Sequence, residues 1–395
     1  MRLAIISPHV IQYFCPQYSS WSEIPGVDLK VFFGSKKGIS EYYDDQFSRH
    51  VKWDGLSLNF PHTFLNNKET PEQYRSEELE ECLNNFSPDA VLVYGWDKKL
   101  SRSATKWATF NKKSLILYSD AELRSQKNLM KTILKKLIIP RILKDFNIFL
   151  TVGDSNEEFY RNYGAMDRQF VRCSFPIDYF IFDKCLAERH TARATLRSKL
   201  GIPQHHKVIL NVGKLVPWKR QIDLIDFSNS IQNHRNDITI LLVGSGQDEG
   251  HLRARSKRLG AGGIVFAGFI QPPHLPQFYV ASDLYAATSQ RDRHSLAISE
   301  AIYAGLPIVI SDQCGSVGPS DDVRPGVNGL VFPCGDVNAM TKLIFYVLDD
   351  AHVHDKLSKL SSAIAVERQA TSHHAALAHV KILVRANNLG NDPTV

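Results

Sequence analysis

The sequence predicts an α/β protein made of two doubly wound domains in tandem. Three observations carry this expectation. At 395 residues the chain exceeds what one compact core usually holds. Short runs rich in Val, Ile, Leu and Phe recur in both halves, at spacings of about 20–30 residues. Helix-like stretches lie between them, as βαβ units with right-handed crossovers require.

In the first half the strand candidates are Arg2–Ser7, Asp28–Phe33, Asp89–Tyr94, Ser114–Tyr118 and Asn147–Val152. Their nearly continuous apolar character suits strands buried on both faces of a parallel sheet. Pro71–Asn85 and Asn128–Asp145 read as helices between them. The stretch Phe175–Ile202 breaks the pattern with Pro176-Ile177-Asp178, a few aromatics and a charged helical run, Leu186–Lys199. The domain boundary is expected there, giving residues 1–180 and 181–371. The second half restarts at Val208–Val212, followed by Ile238–Val243, Ile264–Ala267, Leu284–Ala287 and Ile308–Ile310. In such folds ligands bind beyond the carboxyl ends of the strands. Asn387–Val395 reads as a frayed tail.

Bulk composition excludes several classes. A net charge of +6 suits anionic small ligands and does not indicate nucleic acid. Six cysteines, at 15, 82, 173, 185, 314 and 334, form no C-x-x-C pair and no metal spacing, which suits reduced cytoplasmic thiols. Fifteen histidines include two adjacent pairs but no H-E-x-x-H set, so no metal site is expected. The N-terminal apolar run is too short for a signal segment, and no stretch approaches the roughly 20 apolar residues that span a bilayer. A soluble or peripheral protein is expected.

Ser289–Gly305, SQRDRHSLAISEAIYAG, is the most informative segment. Asp292 sits in a loop that feeds a helix expected to start near His294, and Glu300 lies on that helix. Backbone N–H groups at a helix start favour anions. Two carboxylates beside such an end suit a ligand with sugar hydroxyls and a phosphate. Gly244-Ser245-Gly246 follows a strand but lacks the third glycine of a dinucleotide fingerprint, so it reads as a turn.

Together these residues resemble retaining glycosyltransferases of family 4. The matching pieces stand in family order: Asn211–Lys219 (NVGKLVPWK), Leu242–Gly246 (LVGSG), Val265–Gly268 (VFAG), Asp292–Leu296 (DRHSL) leading to Glu300–Pro307 (EAIYAGLP), and Gly326–Pro333 (GVNGLVFP). The likeness spans roughly Lys207 to Met340. His9–Phe14, Phe149–Gly153 and Pro176–Asp178 match more loosely. The resemblance implies a GT-B fold, two Rossmann-like doubly wound domains facing a central cleft. It assigns the acceptor to the first domain and the nucleotide-sugar donor to the second. It also implies that a last helix, about 372–390, returns to the first domain.

The same resemblance assigns roles. Gly213, Lys214 and Lys219 fall to the donor phosphates, where fixed cations stabilise a departing diphosphate. Lys214 stands where Arg is common, and Arg220 where Gly is common. Asp292 falls to the donor sugar and Glu300 to the ribose. His294-Ser295 replaces an aromatic–glycine pair and still offers backbone N–H groups, with Leu296 beside it; the loop of Phe269 and Ile270 meets the base through its backbone, or Phe269 is a packing residue. His9 and Tyr13 are expected on the acceptor side, with His9 titrating near neutrality. Asp120 stands near where relatives carry a histidine, and is expected to share in catalysis with Lys214, Lys219 and Asp292. No bound metal or other cofactor is implied.

Residues 123–146 are basic and amphipathic, with Lys127, Lys131 and Lys135 on one stripe and Leu129, Ile133 and Leu137 on another. Two readings compete: a patch for an anionic membrane bearing a lipid-linked acceptor, or a core helix with a solvated face, interrupted at Pro140. The expected function is sugar transfer from a nucleotide-diphosphate sugar to a glycan or lipid-linked hydroxyl, with retention, in the cytoplasm or at the inner membrane face. The alternatives are a non-catalytic sugar-nucleotide-binding protein, a nucleotide-sugar epimerase, and a phosphorylase, for which no pyridoxal-phosphate lysine setting is identifiable.

Overall fold

The computed structural model describes residues 1–65, 76–124, 129–371 and 374–390. The chain forms two compact units. One comprises Met1–Tyr42, Gly55–Pro176 and Gln369–Val395, and the other Tyr43–Asp54 and Ile177–Arg368.

The strands in chain order are β1 (Arg2–Ser7), β2 (Asp28–Phe33), β3 (Tyr42–Asp44), β4 (Arg49–Val51), β5 (His62–Phe64), β6 (Ala90–Tyr94), β7 (Ser114–Ser119), β8 (Ile148–Thr151) and β9 (Phe170–Arg172). They continue with β10 (Lys207–Val212), β11 (Ile238–Val243), β12 (Ile264–Gly268), β13 (Leu284–Ala287), β14 (Ile308–Ser311) and β15 (Gly329–Phe332). The first unit carries a parallel sheet ordered β5-β2-β1-β6-β7-β8-β9. Alternate side chains enter opposite layers: Leu3 and Ile5 join one core, and Ala4 and Ile6 the other. The C-terminal helix, His374–Gly390, closes the first layer by placing Ala376, Leu377, Val380 and Val384 beside Cys15, Tyr18 and Trp21.

The second unit carries a parallel sheet ordered β12-β11-β10-β13-β14-β15. From β10 the chain moves outward to β11 and β12, then returns to β13 on the other side. Strand order therefore reverses between β10 and β13, the position where an open α/β sheet leaves a crevice at its carboxyl end. β11 is buried along its whole length, as a central two-sided strand should be.

Several expectations need correction. The boundary falls at Pro176/Ile177 rather than 180, and the return to the first unit begins at Gln369 rather than about 372. Tyr43–Asp54, expected in the first domain, belongs to the second unit. β5, β9 and β15 are edge or near-edge strands of three or four residues, too short to stand out as apolar runs. Of the helix expected over 71–85, residues 71–75 lie outside the described residues, and the remainder lies in the helix Ser76–Phe86.

Leu129–Leu143 is one helix that continues through Pro140. The ring removes a single N–H whose partner would be the carbonyl of exposed Lys136, and the next turn closes with Lys144 donating to the Pro140 carbonyl at 3.1 Å. Lys127 lies outside the described residues. Ile133, Leu134, Leu137 and Ile138 are each between 44% and 56% exposed, so this helix turns apolar surface outward and is not a simple core helix. No helix among the described residues is long and apolar enough to cross a membrane.

Candidate functional site

In the second unit the ends of β10, β11 and β12 are stitched together by glycines. Gly213 donates to the Val243 carbonyl at 2.9 Å, and Gly244 to the Gly268 carbonyl at 2.8 Å. Gly244 has φ +141°, and a Cβ there would lie 1.9 Å from the Gly213 carbonyl oxygen, so no side chain fits. The strand ends thereby form a close-set backbone floor.

Lys214 follows Gly213 out of β10. Its Nζ donates to Gln46 Oε1 at 2.7 Å, lies 3.5 Å from Asp44 Oδ2, and sits 4.6 Å from the centre of the Phe47 ring. All three partners come from the β3–β4 hairpin, which was not anticipated as part of this site. Phe269, after β12, packs edge-on against Phe47 at 5.1 Å, beside Trp53 at 5.9 Å, with the Arg49 guanidinium 4.6 Å from its ring centre. Phe269 is thus a packing residue under the hairpin in this conformation. Ile270 is partly buried against the core of the same unit.

Lys219 closes a single 3-10 turn, Pro217–Lys219. Thr288 Oγ1 donates to its carbonyl, and the Gln290 N–H donates to that of Trp218, both at 2.8 Å. These bonds hold the turn against the loop after β13, and Lys219 Nζ meets Asp292 Oδ2 at 2.6 Å. Two residues from distant segments therefore share one charge pair at the point of strand-order reversal. Arg220 has φ +52°, the left-handed region, which explains why a glycine suits this position. Its guanidinium grips the buried Asp223 through two bonds of 2.9 and 2.7 Å, a structural role rather than a ligand contact.

The helix after this loop runs Leu296–Tyr303, with Ser295 as its N-cap; it starts later than the expected His294, so Glu300 lies just over one turn in. The Ser295 N–H is already used, donating to Ser316 Oγ at 3.1 Å. Tyr279 Oη donates to Glu300 Oε2 at 2.5 Å. Burial pushes the Glu300 carboxyl up to about 7, against the opposing pull of the Tyr279 hydrogen bond. Glu300 is therefore poised to gain or lose a proton near neutral pH.

His294 is expected to offer a backbone N–H, and its side chain lies inward. Its ring is buried beside two buried carboxylates, with Nε2 3.3 Å from Asp322 Oδ2 and Nδ1 3.9 Å from Asp321 Oδ1. Their ligand-type atoms lie within 4.8 Å of one another, a spacing at which a metal ion can be held. The Arg368 guanidinium, however, pairs with Asp322 and lies 3.8 Å from Asp321, and it supplies cationic charge at that place. Tyr279, Asp321, Asp322 and Arg368 were not anticipated. Asp321-Asp322 sits in a Gly/Pro/Ser-rich stretch that reads as a solvated turn, and nothing in the sequence marks its burial.

His9, Tyr13 and Asp120 lie in the first unit. His9 follows β1 and Asp120 follows β7, so both stand at the carboxyl edge of that sheet. His9 does not titrate near neutrality: burial and the charges of Lys37 and Lys98 push it down to about 4, so its imidazole is neutral at pH 7. Burial pushes the Tyr13 hydroxyl well above its usual range, with the charge of Asp120 adding to the shift.

Residues 192–363 match the profile of the family described as glycosyl transferases group 1. Spore coat protein SA of Bacillus subtilis is 29% identical over 154 residues, 36% of this chain and 39% of that protein. A GDP-mannose-dependent monoacylated alpha-(1-6)-phosphatidylinositol monomannoside mannosyltransferase of Corynebacterium glutamicum is 27% identical over 165 residues, 40% of this chain and 42% of its own length. The chain thus spans about two fifths of the curated relatives it matches. The crystal structure of Anabaena Alr3699/HepE in complex with UDP superposes with a TM-score of 0.73 at 16% identity, covering 98% of this chain and 100% of that one. That likeness shows a shared fold of two Rossmann-like units, the GT-B architecture. Over residues 192–363 the chain is thus similar to the group 1 glycosyl transferases, and as a whole it shares the fold of the solved neighbour.

Proposed function

We propose that the protein transfers a sugar from a nucleotide-diphosphate sugar to a hydroxyl of a glycan or lipid-linked acceptor, with retention of anomeric configuration. The observation that carries this reading is the Lys219–Asp292 pair at 2.6 Å, set at the strand-order reversal with Lys214 and Glu300 on the same unit. An ammonium held by a carboxylate is a preformed exchange site. An arriving diphosphate takes over Lys219, and Asp292 turns to the sugar hydroxyls. Glu300 accepts from the ribose.

In the transfer step the bond from the anomeric carbon to the phosphate oxygen breaks, and the acceptor oxygen bonds to that carbon from the same face. The acceptor proton goes to the departing phosphate. Lys214 and Lys219 stabilise the negative charge that develops there, so transfer proceeds in the presence of EDTA. Asp120, His9 and Tyr13 serve the acceptor from the first unit, where a neutral His9 acts as a hydrogen-bonding group rather than a cation. The relatives' names include GDP-mannose and the solved neighbours hold UDP, so both nucleotide classes belong in the test.

The exposed Ile133, Leu134, Leu137 and Ile138, interleaved with Lys135, Lys136 and Arg141, favour peripheral contact with the anionic inner face of a membrane. Binding to vesicles containing anionic lipid, lost on Leu134→Glu/Leu137→Glu, tests this part. The transfer reading is tested with Lys219→Ala. Loss of phosphate stabilisation above about 1.4 kcal/mol lowers the rate at least about tenfold. Unchanged turnover with UDP- and GDP-sugars removes Lys219 from the site.

A further inference from the structure

The segment carrying Asp292 is braced by a buried salt cluster. Asp322 is the hub. One of its carboxylate oxygens pairs with Arg368, on the helix Ala351–Thr371. The other accepts from Ser299 Oγ at 2.6 Å and faces His294 Nε2 at 3.3 Å. Ser299 lies on the helix that carries Glu300, and His294 lies two residues after Asp292. The same loop is tied again where Gly315 donates to the Asp292 carbonyl at 2.7 Å. The loop of Asp292, the helix of Glu300 and the helix Ala351–Thr371 thus converge on one carboxylate.

We propose that His294 is a positioning residue, clamped by Asp321 and Asp322 and locked through Arg368, which sets Asp292 at the sugar end of the donor. This rests on the donor-site reading above. The charged groups facing the ring are Asp321 and Asp322 from the loop after β14 and Arg368 from the helix Ala351–Thr371; Ser299 adds a neutral hydroxyl. Burial raises Asp321, while Arg368 and His294 together overcome burial and lower Asp322; when both carboxylates are ionised, Arg368 balances one charge and an imidazolium balances the other. A neutral His294 leaves a net negative charge buried, an arrangement that interiors strongly disfavour. Burial alone lowers the affinity of His294 for its proton, but the hydrogen bond and charge of Asp322, with Asp321 behind it, outweigh this and raise it. The imidazolium is therefore favoured in the clamp, which loosens once His294 gives up that proton.

The clamp acts on the sugar end, while Lys219 and Glu300 hold the nucleotide, and this separates it from a purely structural role. His294→Gln keeps a polar side chain without the charge. It should weaken UDP-glucose or GDP-mannose, whichever the wild type binds, at least tenfold by calorimetry, and leave free UDP or GDP within twofold. His294→Gln/Asp321→Asn restores the charge balance and should recover the thermal stability lost in the single variant. Histidine-selective NMR of the wild type should show His294 keeping its second proton to a higher pH than a free imidazole does. A ring that loses its proton no higher than a free imidazole, or unchanged sugar-nucleotide affinity in His294→Gln where Asp292→Asn weakens it, overturns the clamp and spares the donor site. If Asp292→Asn also binds sugar nucleotide as the wild type does, the donor reading itself fails and takes the clamp's role with it.

Discussion

Replacing Glu300 with Gln should make the second unit more stable above neutral pH while weakening nucleotide binding. The carboxyl is raised from 4.5 to about 7 by burial. Between those values the folded chain keeps a proton that the unfolded chain has released, so stability falls as pH rises through this window and levels off above it. At about 1.36 kcal/mol per pH unit the full penalty is at most about 3 kcal/mol, reduced somewhat by the solvent that still reaches this partly buried side chain. An amide avoids the ionisation and still accepts from the Tyr279 hydroxyl. Scanning calorimetry of wild type and Glu300→Gln at pH 5 and pH 8 checks this. For a unit of this size 1 kcal/mol corresponds to about 2–4 °C, so the variant should gain up to roughly 6–12 °C on the wild type between the two pH values. A difference that stays constant from pH 5 to pH 8 refutes the reasoning, because Glu300 would then ionise like a surface carboxylate.

Nucleotide binding at pH 6.5 should release protons, since ribose hydroxyls favour the charged carboxylate; calorimetry in buffers of different ionisation enthalpy reads this directly. Tyr279→Phe removes the hydroxyl that opposes the rise at Glu300, so the pH dependence of nucleotide affinity should move upward without loss of the fold. Arg220→Gly relaxes a left-handed residue, a gain of about 1 kcal/mol, but leaves buried Asp223 without its bidentate partner, a loss of about 3–5 kcal/mol. A net fall in stability is expected by denaturant titration, and a rise would assign the greater weight to backbone strain.

The strands were legible wherever they are central. β1, β2, β11 and β13 match their expected limits, because two-sided burial writes a continuous apolar run. Edge strands β5 and β15 bury fewer residues and leave a weaker trace. The convergence of Lys214, Lys219, Asp292 and Glu300 on one unit followed from motif order, since each sits just beyond or after a strand of the same sheet. The partners of those residues did not follow. Tyr279 reaches Glu300 from another helix, and Asp322 reaches His294 from a loop whose composition suggests water. Pairings of this kind depend on tertiary approach, which no local pattern encodes. His294 shows the point most clearly: it departs from the family pattern, and its reason lies in residues far along the chain.

The β3–β4 hairpin has a consequence for synthesis and for any attempt to divide the chain. Gln46 and its partner Lys214 are 168 residues apart, and Ser245 reaches the Phe47 carbonyl across 198 residues. The hairpin leaves the ribosome long before the floor it rests on exists, so the second unit cannot mature in order of translation. Such long-range closure slows folding, and Phe47 and Trp53 remain without Phe269 during that interval. A fragment cut at the obvious boundary, 177–368, carries the whole parallel sheet but strips Phe269 and Lys214 of their cover. It should collect aggregates or chaperones where the intact chain does not, and supplying residues 43–54 as a tethered N-terminal extension should relieve this.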